Sequence, residues 1–347
     1  MTPGIRGISG AEPGWLAGGR AVFVLVMSHT ATCRIPGISV AGAGPDAMHL
    51  TPPADAEYVA LGRCRVMDGI PVTPDGKPTP ALMTRAALVA AGIPFVAVSA
   101  GSATKPRIPY VETGIEPGGS ILDGPAMTAA QFAEAGERGG ELGRALSGMA
   151  DCIILGESVP GGTTTALAVL RGLGCGARVS SSAPENPEAL KNRVVEAALA
   201  RAPGDPAGMA AAAGDPMMPF VAGMMRGAAG RSGVLLAGGT QMAAVLALAS
   251  RTGGVPDGVA LATTTYVADD PSADFADMAR GLGVPVLAAD PGMSGSRHAG
   301  LRAFSEGFAK EGAGAGGAIT AYLARTGRGT GGFLADAEAE YERLTSR

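Results

Sequence analysis

Short apolar runs of strand length alternate along this chain with stretches of helical periodicity, and that alternation restricts the possible fold more than any other feature. The runs are Ala21–Met27, Pro94–Val98, Asp151–Leu155, Gly233–Leu236, Gly258–Ala262 and Val284–Ala288. Helical spacing is read over Thr79–Ala91, Thr128–Ser147, Thr163–Leu173, Pro187–Arg201, Met217–Ala229, Thr240–Ser250, Pro271–Leu282, Arg297–Lys310 and Ala313–Arg325. Continuous apolar strands between helices predict an α/β fold with a mainly parallel sheet, covered on both faces. Ligands of such sheets bind at the carboxyl ends of the strands. The loops after Met27, Val98, Leu155, Leu236 and Ala262 should therefore surround one crevice. Two stretches, Ser28–Pro78 and Gly101–Met127, show no clear period and read as long loops packed over that crevice. A charged helix, Leu334–Arg343, closes the chain.

Composition narrows the function. Of 347 residues, 46% are apolar and only 4% aromatic, so the core must be built from Ala, Val, Leu, Ile and Met. The net charge is −4, and no lysine or arginine cluster supplies the basic face that nucleic acid requires. No apolar stretch reaches the roughly 20 residues of a membrane span. The segment before Val22 lacks the basic start of a signal peptide. The four cysteines show no CxxC spacing, and a reduced, cytoplasmic setting is expected. Three histidines without helical pairing give no zinc site. SHTATCRIPG follows the first of these strands where a dinucleotide-binding fingerprint would stand, which argues against a Rossmann dehydrogenase.

The most informative stretch is Asp151–Gly174, in the order strand, glycine-rich loop, helix. Such a loop aims backbone N–H groups at whatever lies over the helix N-terminus, where the helix dipole favours an anion. Its single carboxylate, Glu157, would suit a ribose hydroxyl. An ordinary turn with a glycine-rich entry is the other reading. Gly238, Gly239 and Thr240 repeat the arrangement after a later strand. Thr263–Thr265 place hydroxyls at a strand end, for ribose, phosphate or helix capping. Lys191 stands at a helix start, either as a phosphate partner or as a solvated surface residue. His29 and Ser39 lie in the long loop after Met27, where a lone histidine is more often structural than catalytic. In Ser305–Gly317, Glu306 and Glu311 flank Lys310 before a run of glycine and alanine. Glu311 beside that run is either a desolvated general base, with a ligand ring against the small residues, or a helix cap with the small residues packing a helix.

The segments GESVPGGTTTALAVL, LKNRVVEAAL, VLLAGGTQMAAVLAL and EGFAKEGAGAGGA occur in an order that resembles the nicotinate-nucleotide:dimethylbenzimidazole phosphoribosyltransferase (CobT) family, and more closely its archaeal and cyanobacterial branch. IPGIS at 35–39 and IPVTPDGKPTPAL at 70–82 look like that branch too. The resemblance runs from about Ala21 to Leu323. It implies a three-layer αβα fold with a Rossmann-like sheet and a small helical subdomain, divided as a large α/β domain over 1–295 and a C-terminal helical segment over 296–347 that completes the site. It also implies a homodimer.

The implied reaction moves phosphoribose from nicotinate mononucleotide, or a related nucleotide, to a heteroaromatic base such as dimethylbenzimidazole, in cobalamin biosynthesis. No cofactor, metal, nucleic acid or membrane is called for. The family's catalytic glutamate pattern E-G-x-G-A matches Glu311 to Ala315. Its E-x-G-x-G-N-T-T loop matches Glu157 to Thr164, and its lysine matches Lys191. Substrate contacts are thus expected from Gly161, Gly162, Thr163, Thr164, Lys191, Gly238, Gly239, Thr264, Thr265, Gly312, Gly314 and Ser39, with Glu311 and Glu157 catalytic. Three family positions differ: the loop asparagine is Gly162, one loop glycine is Val159, and a later aspartate is Gly238. Another sugar-phosphate or nucleotide-processing enzyme on the same fold, and a non-catalytic nucleotide-binding protein, are the alternatives.

Overall fold

The structure, a computed structural model, describes residues 1–39, 45–70, 72, 77–181 and 186–346. Ser182 and most of positions 71–76 of the N-terminal motif lie outside the described residues. Eight strands form one sheet: β1 (Ile5–Ser9), β2 (Ala21–Met27), β3 (Phe95–Ser99), β4 (Val111–Glu112), β5 (Cys152–Ser158), β6 (Gly233–Ala237), β7 (Val259–Thr264) and β8 (Val286–Ala289). Their order across the sheet is β1-β8-β7-β6-β5-β2-β3-β4. Of these, β1 alone runs antiparallel, against β8. The chain builds outward from the centre in both directions, so the β2/β5 seam is where the winding reverses, and crevices form at the carboxyl ends of such a seam.

Side chains alternate across each strand, and the two sets enter separate cores. Val22, Val24, Val26, Ile153, Leu155, Val234 and Leu236 face one layer. It comprises α3 (Ala129–Ser147), α4 (Gly162–Gly172), α5 (Glu188–Leu199), α6 (Pro206–Ala213), α7 (Met217–Ala228), α8 (Thr240–Thr252) and α10 (Phe275–Arg280). Phe23, Leu25, Met27, Cys152, Ile154, Leu235 and Ala237 face the other. That layer holds α1 (Thr51–Leu61), α2 (Ala81–Ala91), α11 (Ala299–Ser305), α12 (Ala315–Thr326) and α13 (Gly329–Thr345). A single turn, α9 (Thr265–Ala268), leaves the end of β7. This is the αβα sandwich expected from the alternation.

The differences are local. Ser28–Pro78 contains α1, which opens on two prolines suited to a first helical turn. Pro52 to Val59 are all buried, Asp55 and Glu57 included, so no polar face betrays the helix. The predicted helix Arg297–Lys310 ends at Ser305, and Pro271–Leu282 contracts to Phe275–Arg280. The chain after Ser305 turns sharply: Ala309 (φ 46°) and Ala313 (φ 48°) are the positive-φ non-glycine residues among those described. Backbone held there costs of order 1–3 kcal/mol and tends to gather at functional sites.

Candidate active site

Glu157 is the penultimate residue of β5 and faces the α8 layer, sharing the parity of Ile153 and Leu155. Gln241, in the first turn of α8, donates from Nε2 to Glu157 Oε2 at 2.8 Å. That amide runs through the space over Gly162, where a Cβ would lie 2.2 Å from Gln241 Nε2. A side chain at 162 would require Gln241 to move from its present bond to Glu157. Burial pushes the Glu157 carboxyl up to about 8, aided by the charges of Asp215, Glu311 and Asp55, against the Gln241 bond.

Glu311 reaches the same place from the other layer. It sits just before α12 and accepts from Gly316 N at 3.0 Å, Gly312 N at 3.2 Å, Thr263 Oγ1 at 3.1 Å and Thr264 N at 3.1 Å. Those donors favour the ionised form. Burial outweighs them and raises its pKa to about 7. The run after Glu311 is what lets α12 lie so close to the sheet. Cβ atoms added at Gly314, Gly316 and Gly317 would meet Gly156 Cα at 2.8 Å, Thr263 C at 2.2 Å and Ala237 Cβ at 2.2 Å. The small residues therefore pack the helix start on β5, β6 and β7, and Glu311 also caps it. The ligand ring imagined against this run has no place at Gly314, 316 or 317; of its glycines, Gly312 lines the cleft.

Two joined pockets share Glu157, Thr163, Gln241 and Glu311. The first spans about 720 Å³, open solvent at its mouth included, and the N-terminus of α4 opens on it. Ser39, Thr51, Asp55, Thr79, Ser158, Pro160, Gly161, Gly162 and Gly312 contribute to its walls, and among the described residues no lysine, arginine or histidine does. Gly161 is left-handed (φ 78°) and lies against Cys33, with 3.0 Å left for a Cβ, so the loop needs glycine there. The second, about 380 Å³, is bounded by Ser180, Ser181, Gly239, Thr240, Val267 and Lys310. Here α8 presents its N-terminus. Lys310 Nζ is 2.6 Å from Asp270 Oδ2, which also accepts from Ser180 Oγ at 2.5 Å. The strained turn at Ala309–Ala313 sends adjacent residues different ways: Lys310 lines only the second pocket, while Glu311 lines both.

Some expected contacts lie behind these walls. Lys191 is buried at 1% exposure, not solvated, with Nζ 2.9 Å from Asn186 Oδ1. Burial lowers its pKa to about 8, and repulsion from Lys310 adds to the effect. Thr164 is buried with no partner for its hydroxyl among the described residues. Thr264 donates to Lys310 O at 2.6 Å and caps α9, of which Thr265 is the first residue. Gly238 stands beside Glu157, a Cβ there being 3.8 Å from Oε1. His29 is buried, with burial lowering its pKa to about 4. Sequence reasoning did not reach Asp55, Thr79, Ser158, Asp215 or Asp270, which tertiary contacts bring in. Asp215 was visible only as a residue between helices; it accepts from Thr165 Oγ1 at 2.6 Å behind Glu157.

The family model described as "Phosphoribosyltransferase" (DBI_PRT) matches residues 82–264. A UPF0284 protein of Archaeoglobus fulgidus is 48% identical over 330 residues, covering 95% of both chains. One from Pyrobaculum calidifontis is 47% identical, covering 93% of this chain and 96% of its own. Among solved structures, CobT from Thermus thermophilus superposes with a TM-score of 0.63 at 19% identity, over 94% of this chain and 86% of that one. The shared fold, the family match and the near-full-length relatives agree: the chain belongs to the DBI_PRT phosphoribosyltransferases, in the group that includes the archaeal UPF0284 proteins.

Proposed function

We propose that this phosphoribosyltransferase takes a nicotinate-nucleotide-type donor and a heteroaromatic acceptor base. The observation that carries the reading is the charge division of one continuous cleft. Asp55 lines one end with no cation among the described lining residues, and Glu157 and Glu311 line the middle, shared by both pockets. Lys310 and the N-terminus of α8 line the other end. A donor with a positively charged pyridinium ring and a phosphate is divided the same way. The phosphate would rest between Lys310, Ser180 and the α8 N–H groups, with Lys191 behind. A similar structure from Thermus thermophilus is named a nicotinate-nucleotide–dimethylbenzimidazole phosphoribosyltransferase, which favours the same donor class.

In the reaction, an acceptor ring nitrogen forms a bond to C1′ as the bond from C1′ to the pyridinium nitrogen breaks. The bonding pair leaves with the ring, which becomes neutral pyridine nitrogen in free nicotinate. The proton lost by the acceptor goes to Glu311, whose pKa near 7 suits a general base. Positive charge grows on the ribose in the oxocarbenium-like state, and an ionised Glu157 beside it would stabilise that charge. Incubation with nicotinate mononucleotide and a panel of azole bases should release nicotinate and yield an α-ribosyl phosphate. Glu311→Gln should keep donor binding and lose about 10²–10⁴-fold in rate. A folded protein from which none of the bases elicits nicotinate release would refute the reading.

A further inference from the structure

Asp55 is a third carboxylate in the cleft, and no bond-making or proton-transfer step of the reaction above uses it. It lies on α1 at 4% exposure, in the wall of the first pocket and absent from the second. Thr51, one turn earlier on the same face, lines that pocket as well. Thr79 Oγ1 donates to Asp55 Oδ1 at 2.7 Å, and Ser158 Oγ donates to Oδ2 at 2.8 Å. Thr79 Oγ1 also accepts from Ala81 N at 3.2 Å, so its one proton is committed to Asp55. Both hydroxyls point their protons inward. The carboxylate is thereby fixed in orientation and presents only acceptor lone pairs. Among the described residues no group of three acidic, histidine or cysteine side chains is placed to hold a metal ion there.

We propose that Asp55 selects the acceptor base, which must carry a hydroxyl or amino donor on the edge that faces α1. This rests on the transferase reading: with the donor phosphate at Lys310, the acceptor base is placed in the first pocket beside Asp55. A ring with only methyl groups on that edge would strip water from Asp55 and return nothing. A ring O–H or N–H would replace the lost water. Sites built to bond a substrate donor reject analogues that lack it far more strongly than apolar pockets reject an added group. The ring faces would meet Pro78, Pro80, Val159 and Pro160, which suit a flat heteroaromatic.

The test compares 5-hydroxybenzimidazole with 5-methylbenzimidazole, a pair matched in size, by titration calorimetry on the intact protein without nucleotide. The hydroxy compound should bind at least ~10-fold more tightly. Asp55→Asn should bring the two affinities within about 3-fold, chiefly by weakening the hydroxy compound. Equal affinities in the native protein, no measurable binding of the hydroxy compound, or an unchanged ratio in the variant each overturns the proposal. The native ratio needs no variant to fold. Nicotinate release with plain benzimidazole, run in parallel, reports on the transferase reading alone. Binding selectivity without release would retain Asp55 as the selector and discard the reaction, and release without selectivity would do the reverse.

Discussion

Glu311 is one of the charges that hold the Glu157 carboxyl protonated near neutrality, although the two residues come from opposite helical layers of the sheet. Around pH 7.5 a group with a pKa near 8 carries its proton most of the time, and one near 7 mostly does not. A bound pyridinium cation favours ionised carboxylates and should pull the Glu157 value down. Donor binding should therefore release up to about one proton per site. Calorimetry of nicotinate mononucleotide at pH 7.5 in buffers of different ionisation enthalpy measures it. Ribose 5-phosphate, which lacks the ring, should release far less. Equal release by the two ligands would place the cation elsewhere.

The same desolvated acids contribute to the pH dependence of folding. Glu157 stands at about 8 in the folded protein against an ordinary 4.5, so the native state keeps a proton that the unfolded chain has lost. Its contribution is full below about pH 4.5 and is lost as pH rises through 8. Glu311, raised to about 7, and Asp55 and Asp215, each raised to about 6, act in the same direction. His29 acts in the opposite direction, because a neutral buried imidazole is penalised as pH falls from 6.5 towards 4. Glu157→Gln should match the native melting temperature near pH 5 and exceed it by a few degrees at pH 8.5. A difference that is flat across this range, or largest in acid, would contradict a desolvated carboxyl.

Lys310 and Asp270 form a pair whose side chains are 8% and 3% exposed. Removing one member leaves a buried charge unmatched, commonly at a cost of about 3–5 kcal/mol. Lys310→Gln should thus lower stability and also raise KM for nicotinate mononucleotide by about 10–100-fold. Adding Asp270→Asn should restore most of the stability and none of the affinity. KM for nicotinate riboside, which has no phosphate, should change little in either variant. Recovery of KM in the double variant would mean that the lysine serves structure alone.

Six strands were legible because they are apolar runs, as Cys152–Leu155 and Val234–Leu236 illustrate. Strand β1, with the sequence IRGIS, and the two-residue β4, inside the stretch Gly101–Met127 read as a loop, are edge pieces without such a run and escaped. Glu157 was legible as the lone carboxylate of a glycine-rich stretch between strand and helix, although β5 runs on through it to Ser158 and the loop begins later than Leu155. What else escaped was set by contacts between distant segments. Helix α1 is buried over Pro52 to Val59, so its carboxylates look misplaced until Thr79 and Ser158 arrive to bond Asp55. Helix α6, PAGMAAAA, has no polar face to give it a period. Lys310 adjoins Glu311 in sequence, and nothing in that adjacency says they enter different pockets; the left-handed alanines on either side decide it. The glycines after Glu311 were conspicuous, yet a glycine run reads alike whether the neighbour is a ligand ring or a strand.

That ambiguity makes Gly317 the sharpest test of how Glu311 is placed. Its φ lies outside the left-handed region, so alanine is barred there by contact and not by backbone strain. The added Cβ would sit 2.2 Å from Ala237 Cβ and 2.7 Å from its Cα, and a strand backbone in the middle of the sheet cannot retreat. Helix α12 must lift, carrying Gly316 N away from the Glu311 carboxylate and drawing the preceding turn from Thr263 and Thr264. Gly317→Ala should cost about 1–3 kcal/mol in urea unfolding and reduce transfer disproportionately to donor binding. Gly331→Ala is the control, since it lies inside α13 with nothing within 4 Å of a new Cβ, and it should stabilise by roughly 0.5–1 kcal/mol. If Gly317→Ala behaved like Gly331→Ala, α12 would not rest on β6, and the four bonds that orient Glu311 would lose their anchor.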